Sequence, residues 1–305
     1  MSAKTNQQLA IVLEGLGGSG KSTTAELLIK EVVSRGMDVC SLKLPCYETP
    51  TGRILESILR PDGYTLIPKG RSLQELFAVN RGEISQFIES GIVMGWSFVI
   101  ERWPSSNALS ILDEVKRFKT TASQEFRFLK EIDKQFFSLF EGTPTFKFFL
   151  DVSTKEADVS RARRDIDRGL KDDSFEVDRS AYNTRAGILK HYIQLEQDWV
   201  VIDRKNLSAE GVSRQILEAV GPRLGIRGNG ERCGRFVDFN EQVLGRVFRE
   251  GETGTIGEIL NRANYELEIG VRHSWSTLAP GWEKYWPARE FFFDSKASSR
   301  RAERI

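Results

Sequence analysis

Hydrophobic positions follow two alternating rhythms along the chain. Leu9 to Leu13, Met37 to Leu44, Ser97 to Ile100, Thr145 to Val152 and Trp199 to Ile202 are short runs rich in apolar residues, with the length of buried strands. Between them the apolar residues recur at spacings of three and four. Ala25, Leu28 and Val32 mark a helix from Ser22 to about Arg35, and Leu73, Leu76, Phe77, Ile84 and Ile88 mark another over Ser72 to Ser90. Thr51 to Arg60, Gln124 to Phe140, Tyr182 to Gln197 and Ser208 to Val220 complete the helical segments. Pro45 ends the second strand, and Pro61-Asp62-Gly63-Tyr64 is a turn. Strands alternating with helices predict an α/β fold, a parallel sheet wrapped on both faces. Ligands of such sheets bind beyond the carboxyl ends of the strands. Gly15 to Ser22, Lys43, Glu101-Arg102 and the loop after Asp151 all emerge there.

The rhythm changes near residue 222. Pro222 to Gly230 is rich in glycine and arginine and divides the chain into 1–221 and a C-terminal extension, 222–305. The extension is expected to be mostly helical (Phe236 to Arg249, Thr255 to Ile269) and then aromatic-rich, with Trp275, Trp282, Tyr285, Trp286 and Phe291 to Phe293. Ser298 to Ile305 is expected to be disordered.

Composition narrows the class. The chain has 305 residues, 40% hydrophobic and 29% charged, with a net charge of +1. No global field recruits nucleic acid or membrane, so anion binding must be local. Cys40, Cys46 and Cys233 lack metal-type spacing and read as the free thiols of a reducing compartment. No apolar run reaches membrane-spanning length, and a cytoplasmic location is expected.

The strongest chemical signal is Gly15-Leu16-Gly17-Gly18-Ser19-Gly20-Lys21-Ser22, directly after the first strand and opening the first helix. This is a P-loop in the context the motif requires. Its glycines let successive backbone N–H groups point inward at phosphate oxygens. Lys21 can reach the β- and γ-phosphates, Ser22 can ligate Mg²⁺, and the helix dipole, with Thr23 in its first turn, faces the same anion. Binding of a nucleoside triphosphate follows.

Other candidates are less specific. Glu101 could hold Mg²⁺ and Arg102 a second phosphate; without the P-loop they would read as a surface ion pair. Arg161, Arg163, Arg164 and Arg168 interleave with acids, as in a solvated helix, or form a lid that neutralises a transferring phosphoryl group. Phe77 and Arg81 share a helix face and could sandwich and read a base, although either alone reads as packing or surface.

These motifs resemble the thymidylate kinase family. Leu13-Glu14-Gly15 through Thr23 is similar to its P-loop, Leu76 to Arg81 to its L-F-x-A-x-R helix, and Glu101-Arg102-Trp103 with Ser106 to its D-R-Y-x-x-S. Lys43-Leu44-Pro45 stands in the place of its R-x-P. Arg161-Ala162-Arg163, Asp167-Arg168 and Ser174-Phe175 resemble the bacterial-type lid, which accompanies a P-loop with glycine at the position of Gly18. The resemblance covers about residues 8–221. It implies a three-layer P-loop fold with a five-stranded parallel sheet in the order 2-3-1-4-5, and transfer of the ATP γ-phosphoryl, with Mg²⁺, to a nucleoside monophosphate. It assigns ATP to Gly15 to Thr23 and the metal to Ser22 and Glu101. The acceptor goes to Lys43, Phe77, Arg81, Arg102 and Ser106, and catalysis to Lys21, Arg102, Arg161, Arg163 and Arg168.

The departures cluster on the acceptor side. The family's P-loop Asp is Gly17, the Arg of R-x-P is Lys43, and the Tyr/Gln that follow D-R-Y are Ser110 and Ile111. A modified pyrimidine nucleotide therefore fits as well as thymidylate. Two other readings stay open: a deoxynucleoside kinase, and an ATP-binding switch whose partner surface is the aromatic extension. Lys43-Leu44-Pro45 lacks the acidic group that a neutral hydroxyl acceptor needs. Trp275, Trp282 and Trp286 are expected to pack onto the kinase core or a second copy in a homodimer. Basic and acidic residues in the extension number 14 and 12, which argues against nucleic acid.

Overall fold

The structure is a computed structural model. It describes residues 8–59, 70–111, 115, 121–168, 179–196, 198–221, 223–224, 234 and 236–245. Thr255 to Ile269, the aromatic segment and the C-terminal end lie outside these residues.

The strands are β1 (Ala10–Glu14), β2 (Val39–Lys43), β3 (Ser97–Glu101), β4 (Thr145–Asp151), β5 (Trp199–Asp203) and β6 (Phe236–Asp238). All pair in parallel, in the order β5-β4-β1-β3-β2-β6. The first five have the expected 2-3-1-4-5 order, and β6 adds a sixth strand outside β2. The expected helix from Phe236 is thus corrected. Three residues there pair with the open edge of β2, and Phe239–Gly245 turns helical, as a π-helix; residues 246–249 lie outside the described ones. Val237 is buried and Phe236 exposed, an alternation suited to a sheet edge; the tertiary partner overrides the local spacing.

The helices are α1 (Lys21–Ser34), α2 (Pro50–Leu59), α3 (Arg71–Glu83), α4 (Ser85–Val93), α5 (Ala122–Ile132), α6 (Lys134–Ser138), α7 (Thr154–Arg168), α8 (Arg179–Leu195) and α9 (Ala209–Val220). A 3₁₀ helix runs over Pro104–Ser110. The expected single helices at Ser72 to Ser90 and Gln124 to Phe140 are each two, broken at Ile84 and Asp133.

The sheet separates two cores because strand side chains alternate between faces. Leu9, Ile11, Leu13, Val99 and Phe148 pack with Ala25, Leu28 and Val32 of α1 and Val212, Ile216 and Val220 of α9. Ala10, Val12, Phe98, Ile100 and Phe149 pack with Ile84 and Ile88, Phe136, and Leu189 and Ile193 of α8. The result is the expected three-layer architecture. Among the described residues no helix is long and apolar enough to cross a membrane.

Candidate active site

Register sets the site's geometry. At the carboxyl edge Leu13, Glu101 and Lys43 stand in one row of paired residues, from β1 through β3 to β2. The P-loop leaves β1 one residue later. Gly18 and Gly20 take left-handed backbone at φ 81° and 82°. At Gly18 a Cβ would also run into the backbone of Ala157 on α7, so the loop lies flush against the helix carrying the arginine-rich segment. Lys21 is buried and folds over the loop, where its Nζ donates to the carbonyl oxygens of Gly15 at 2.7 Å and Leu16 at 2.9 Å.

Ser22 Oγ donates to Glu101 Oε2 at 2.6 Å. This pair joins the first turn of α1 to the end of β3 and offers two hard oxygen donors beside the loop. Among the described residues no group of three or more His, Cys, Asp or Glu side chains could hold a metal alone. One or two protein oxygens completed by phosphate and water suit Mg²⁺, which rarely takes an all-protein cage. The donor set therefore fits an ion that arrives with a nucleotide.

Beneath the loop lies the buried carboxylate of Glu14. Its Oε1 accepts from the Gly15 N–H at 2.9 Å. Its Oε2 accepts from Trp103 N at 3.2 Å, Ser105 Oγ at 2.9 Å and Ser106 Oγ at 2.6 Å. Glu14 thus ties the P-loop to the segment after β3, and Ser106, named above for the acceptor, directs its hydroxyl at Glu14. Between Glu101 and Trp103, Arg102 holds a left-handed backbone at φ 71°, and its N–H donates to Leu13 O at 2.8 Å. A non-glycine residue there stores about 1–3 kcal/mol, a strain that the surrounding bonds sustain. Trp103 is buried against Phe136, Phe137 and Phe140, with centroids 5.2, 5.9 and 5.4 Å away.

The remaining acceptor residues divide. Lys43 is exposed at the end of β2, level with Glu101. Phe77 is buried among Leu55, Ile58, Leu59 and Leu73, between α2 and α3. Arg81, one turn later, is buried and forks onto Asp133, Nε to Oδ1 at 2.7 Å and Nη2 to Oδ2 at 2.8 Å. Burial pushes the Asp133 carboxyl up, with Arg81 opposing the shift. Arg161 is buried on α7 and pairs with Asp158. Arg163 and Arg168 lie on the same helix, but their side chains fall outside the described residues.

Three polar residues escaped the sequence reading. Arg204, one residue past β5, sends Nη1 to the Ser19 carbonyl oxygen, and its N–H donates to Asp151 O at 2.8 Å. Burial lowers the pKa of its guanidinium, with Glu156 opposing. Position at a strand's carboxyl end was the available signal. Asn80 and Asn240 each clasp a backbone unit near Lys43, from α3 and from the π-helix. No local pattern marks either.

Sheet order and loop together define the class, a P-loop fold in which Lys43 and Glu101 stand level at the carboxyl edge beside the loop. The family model for thymidylate kinase matches residues 13–216. The thymidylate kinase of Bdellovibrio bacteriovorus is 26% identical over 221 residues, covering 70% of this chain and 95% of the relative. That of Schizosaccharomyces pombe is 23% identical over 218 residues, covering 72% and 94%. A solved thymidylate kinase structure from Candida albicans shares the fold, with a TM-score of 0.54 and 21% identity over 71% of this chain and 92% of that one. The chain belongs to the thymidylate kinase family, and with it to the nucleoside monophosphate kinases.

Proposed function

We propose that the protein transfers the γ-phosphoryl group of ATP to a deoxypyrimidine nucleoside monophosphate, thymidylate or a modified relative. The observation that carries this reading is the 2.6 Å contact between Ser22 of the P-loop helix and Glu101, which stands level with Lys43. It links the phosphate cup to the cationic edge without an intervening element.

In this reading the N–H groups of Gly15 to Thr23 bind the triphosphate. Lys21 leaves the Gly15 and Leu16 carbonyls for the β- and γ-phosphates. Ser22 and Glu101 would hold Mg²⁺, which would offset the negative charge of the phosphates. Lys43 and Arg102 hold the acceptor phosphate in line, and Phe77 and Arg81 face the base. The bond from the γ-phosphorus to the β–γ bridging oxygen breaks, and one from the acceptor phosphate oxygen to that phosphorus forms. The products are ADP and a nucleoside diphosphate. The attacking oxygen is already anionic, so the step needs no general base. Arg161, Arg163 and Arg168 of α7 close over the reacting groups, which excludes water and disfavours hydrolysis of ATP.

The fitting test is an ATP-consumption screen with Mg²⁺ over nucleoside monophosphates and nucleosides. Turnover with pyrimidine monophosphates alone supports the proposal. Turnover with nucleosides alone points to a deoxynucleoside kinase, and none at all to an ATP-binding switch.

A further inference from the structure

Among the described residues after 222, Asn240 reaches the end of β2 that carries Lys43. Just before it, β6 pairs with β2 over Val39↔Phe236, Cys40↔Val237 and Ser41↔Asp238, and then the backbone winds into the π-helix. The next ladder bonds on this edge belong to Lys43, and a side chain makes them. Asn240 Oδ1 accepts from Lys43 N at 2.9 Å, while Nδ2 donates to Lys43 O at 3.1 Å and to Glu48 Oε2 at 3.1 Å. The amide stands in for a peptide unit and extends the sheet by one pair.

The same geometry recurs three residues on. Asn80 Oδ1 accepts from Cys46 N at 2.9 Å, and Nδ2 donates to Cys46 O at 2.9 Å and Thr49 Oγ1 at 2.7 Å. The loop from Lys43 to Thr49 is therefore pinned by one asparagine from α3 and one from the far end of the described chain. The second is well seated. Val237, Phe239 and Leu244 are buried, Phe239 meets Phe87 edge-on at 6.3 Å, and Gly234 N donates to Val33 O at 2.8 Å.

We infer that Asn240 is a positioning residue for the acceptor phosphate, fixing the backbone from which Lys43 projects at the end of β2. Lysine presents a point charge on a flexible stem, unlike the planar fork of arginine, so its aim depends on where its backbone is held. The inference rests on the proposed role of Lys43. It makes residues 236–245 part of the kinase unit and gives them a lever on acceptor binding.

The test uses the full chain with Asn240→Ala, the isosteric Asn240→Asp and Asn240→Gln. Asp keeps an acceptor for Lys43 N but loses both donors and opposes Glu48. By hydrogen exchange, the alanine and aspartate variants should lose at least about tenfold protection in the Lys43 to Glu48 stretch, with β1 and α1 unchanged. For thymidine 5′-monophosphate the KM should rise roughly fivefold, about one net hydrogen bond, with the ATP KM moving less than twofold and glutamine recovering part of the loss. If Asn240→Ala fails to fold, the aspartate variant carries the test. Unchanged exchange at Lys43, uniform loss across the sheet, or equal rises in both KM values overturns the inference. Should the wild-type chain use no monophosphate, the kinase proposal fails separately, and the exchange arm alone decides the clasp.

Discussion

Arg81 and Asp133 meet in a two-bonded fork of 2.7 and 2.8 Å, with side-chain exposures of only 3% and 1%. The fork fixes α3 to the α5–α6 junction and holds the guanidinium one turn from Phe77. Removing one partner of a buried pair strands the other charge. Asp133→Ala should cost about 3–5 kcal/mol in urea unfolding. The pair Arg81→Met with Asp133→Leu should recover most of that stability, since apolar replacements often match a buried ion pair. If Arg81 faces the base, the double variant stays impaired in acceptor use while its ATP KM holds. Recovery of acceptor use together with stability would reduce Arg81 to a strut.

Lys21→Ala should abolish phosphoryl transfer and leave the fold intact. In the resting site its Nζ donates to the carbonyl oxygens of Gly15 and Leu16 and to Ser19 Oγ, and the loss expected is that of phosphate binding. The check is turnover beside a thermal melt; wild-type turnover from a folded variant would refute the role.

Glu14→Ala is expected to be among the most damaging changes outside the apolar cores. It leaves two backbone N–H groups and two serine hydroxyls without their acceptor. A loss of about 3–5 kcal/mol follows from buried groups left unsatisfied. Glu14→Gln, which keeps the volume and one acceptor oxygen, should lose less. Equal losses would show that charge, not acceptor geometry, matters.

These cases show where the chain was legible. Short apolar runs placed β1 through β5, period-3.6 spacing the helices between them, and the glycine-lysine motif the P-loop, because all three signals are local. Glu14 stood in plain view as an acid ending an otherwise apolar strand. Ser106, read from a motif as an acceptor contact, directs its hydroxyl at that acid. Lys43 and Asn240 lie 197 residues apart, and no periodicity encodes such a contact. The segment at Phe236 read as helix because sequence spacing is blind to the open edge of β2 that captures it.

Cys46 offers a chemical probe of the pinned loop. It is fully buried, and desolvation, then the nearby Glu48, pushes its thiol far above the usual range. A pKa raised in the fold keeps the thiol protonated across neutral and mildly alkaline pH, and the thiolate is the reactive species. Cys46 should therefore resist a disulfide reagent from pH 7 to 9 and react once the chain is unfolded in urea. Rapid native labelling at Cys46, located by peptide mapping, contradicts this picture.

The Ser22–Glu101 pair predicts how metal enters. Glu101→Gln keeps the shape but removes a formal charge, so it should raise the Mg²⁺ concentration for half-maximal turnover by roughly tenfold, as expected for a cation held by one or two protein oxygens. Titrating Mg²⁺ at fixed ATP measures it, and an unchanged midpoint removes Glu101 from the metal site.

In the proposed function the P-loop and the end of β2 act on two nucleotides at once. The sharpest check is a single-turnover reaction of the full chain with γ-labelled ATP, Mg²⁺ and excess thymidine 5′-monophosphate. Label should pass into thymidine diphosphate, formed one for one with ADP. Label released only as inorganic phosphate, or remaining in ATP with every pyrimidine monophosphate tried, would refute the transfer.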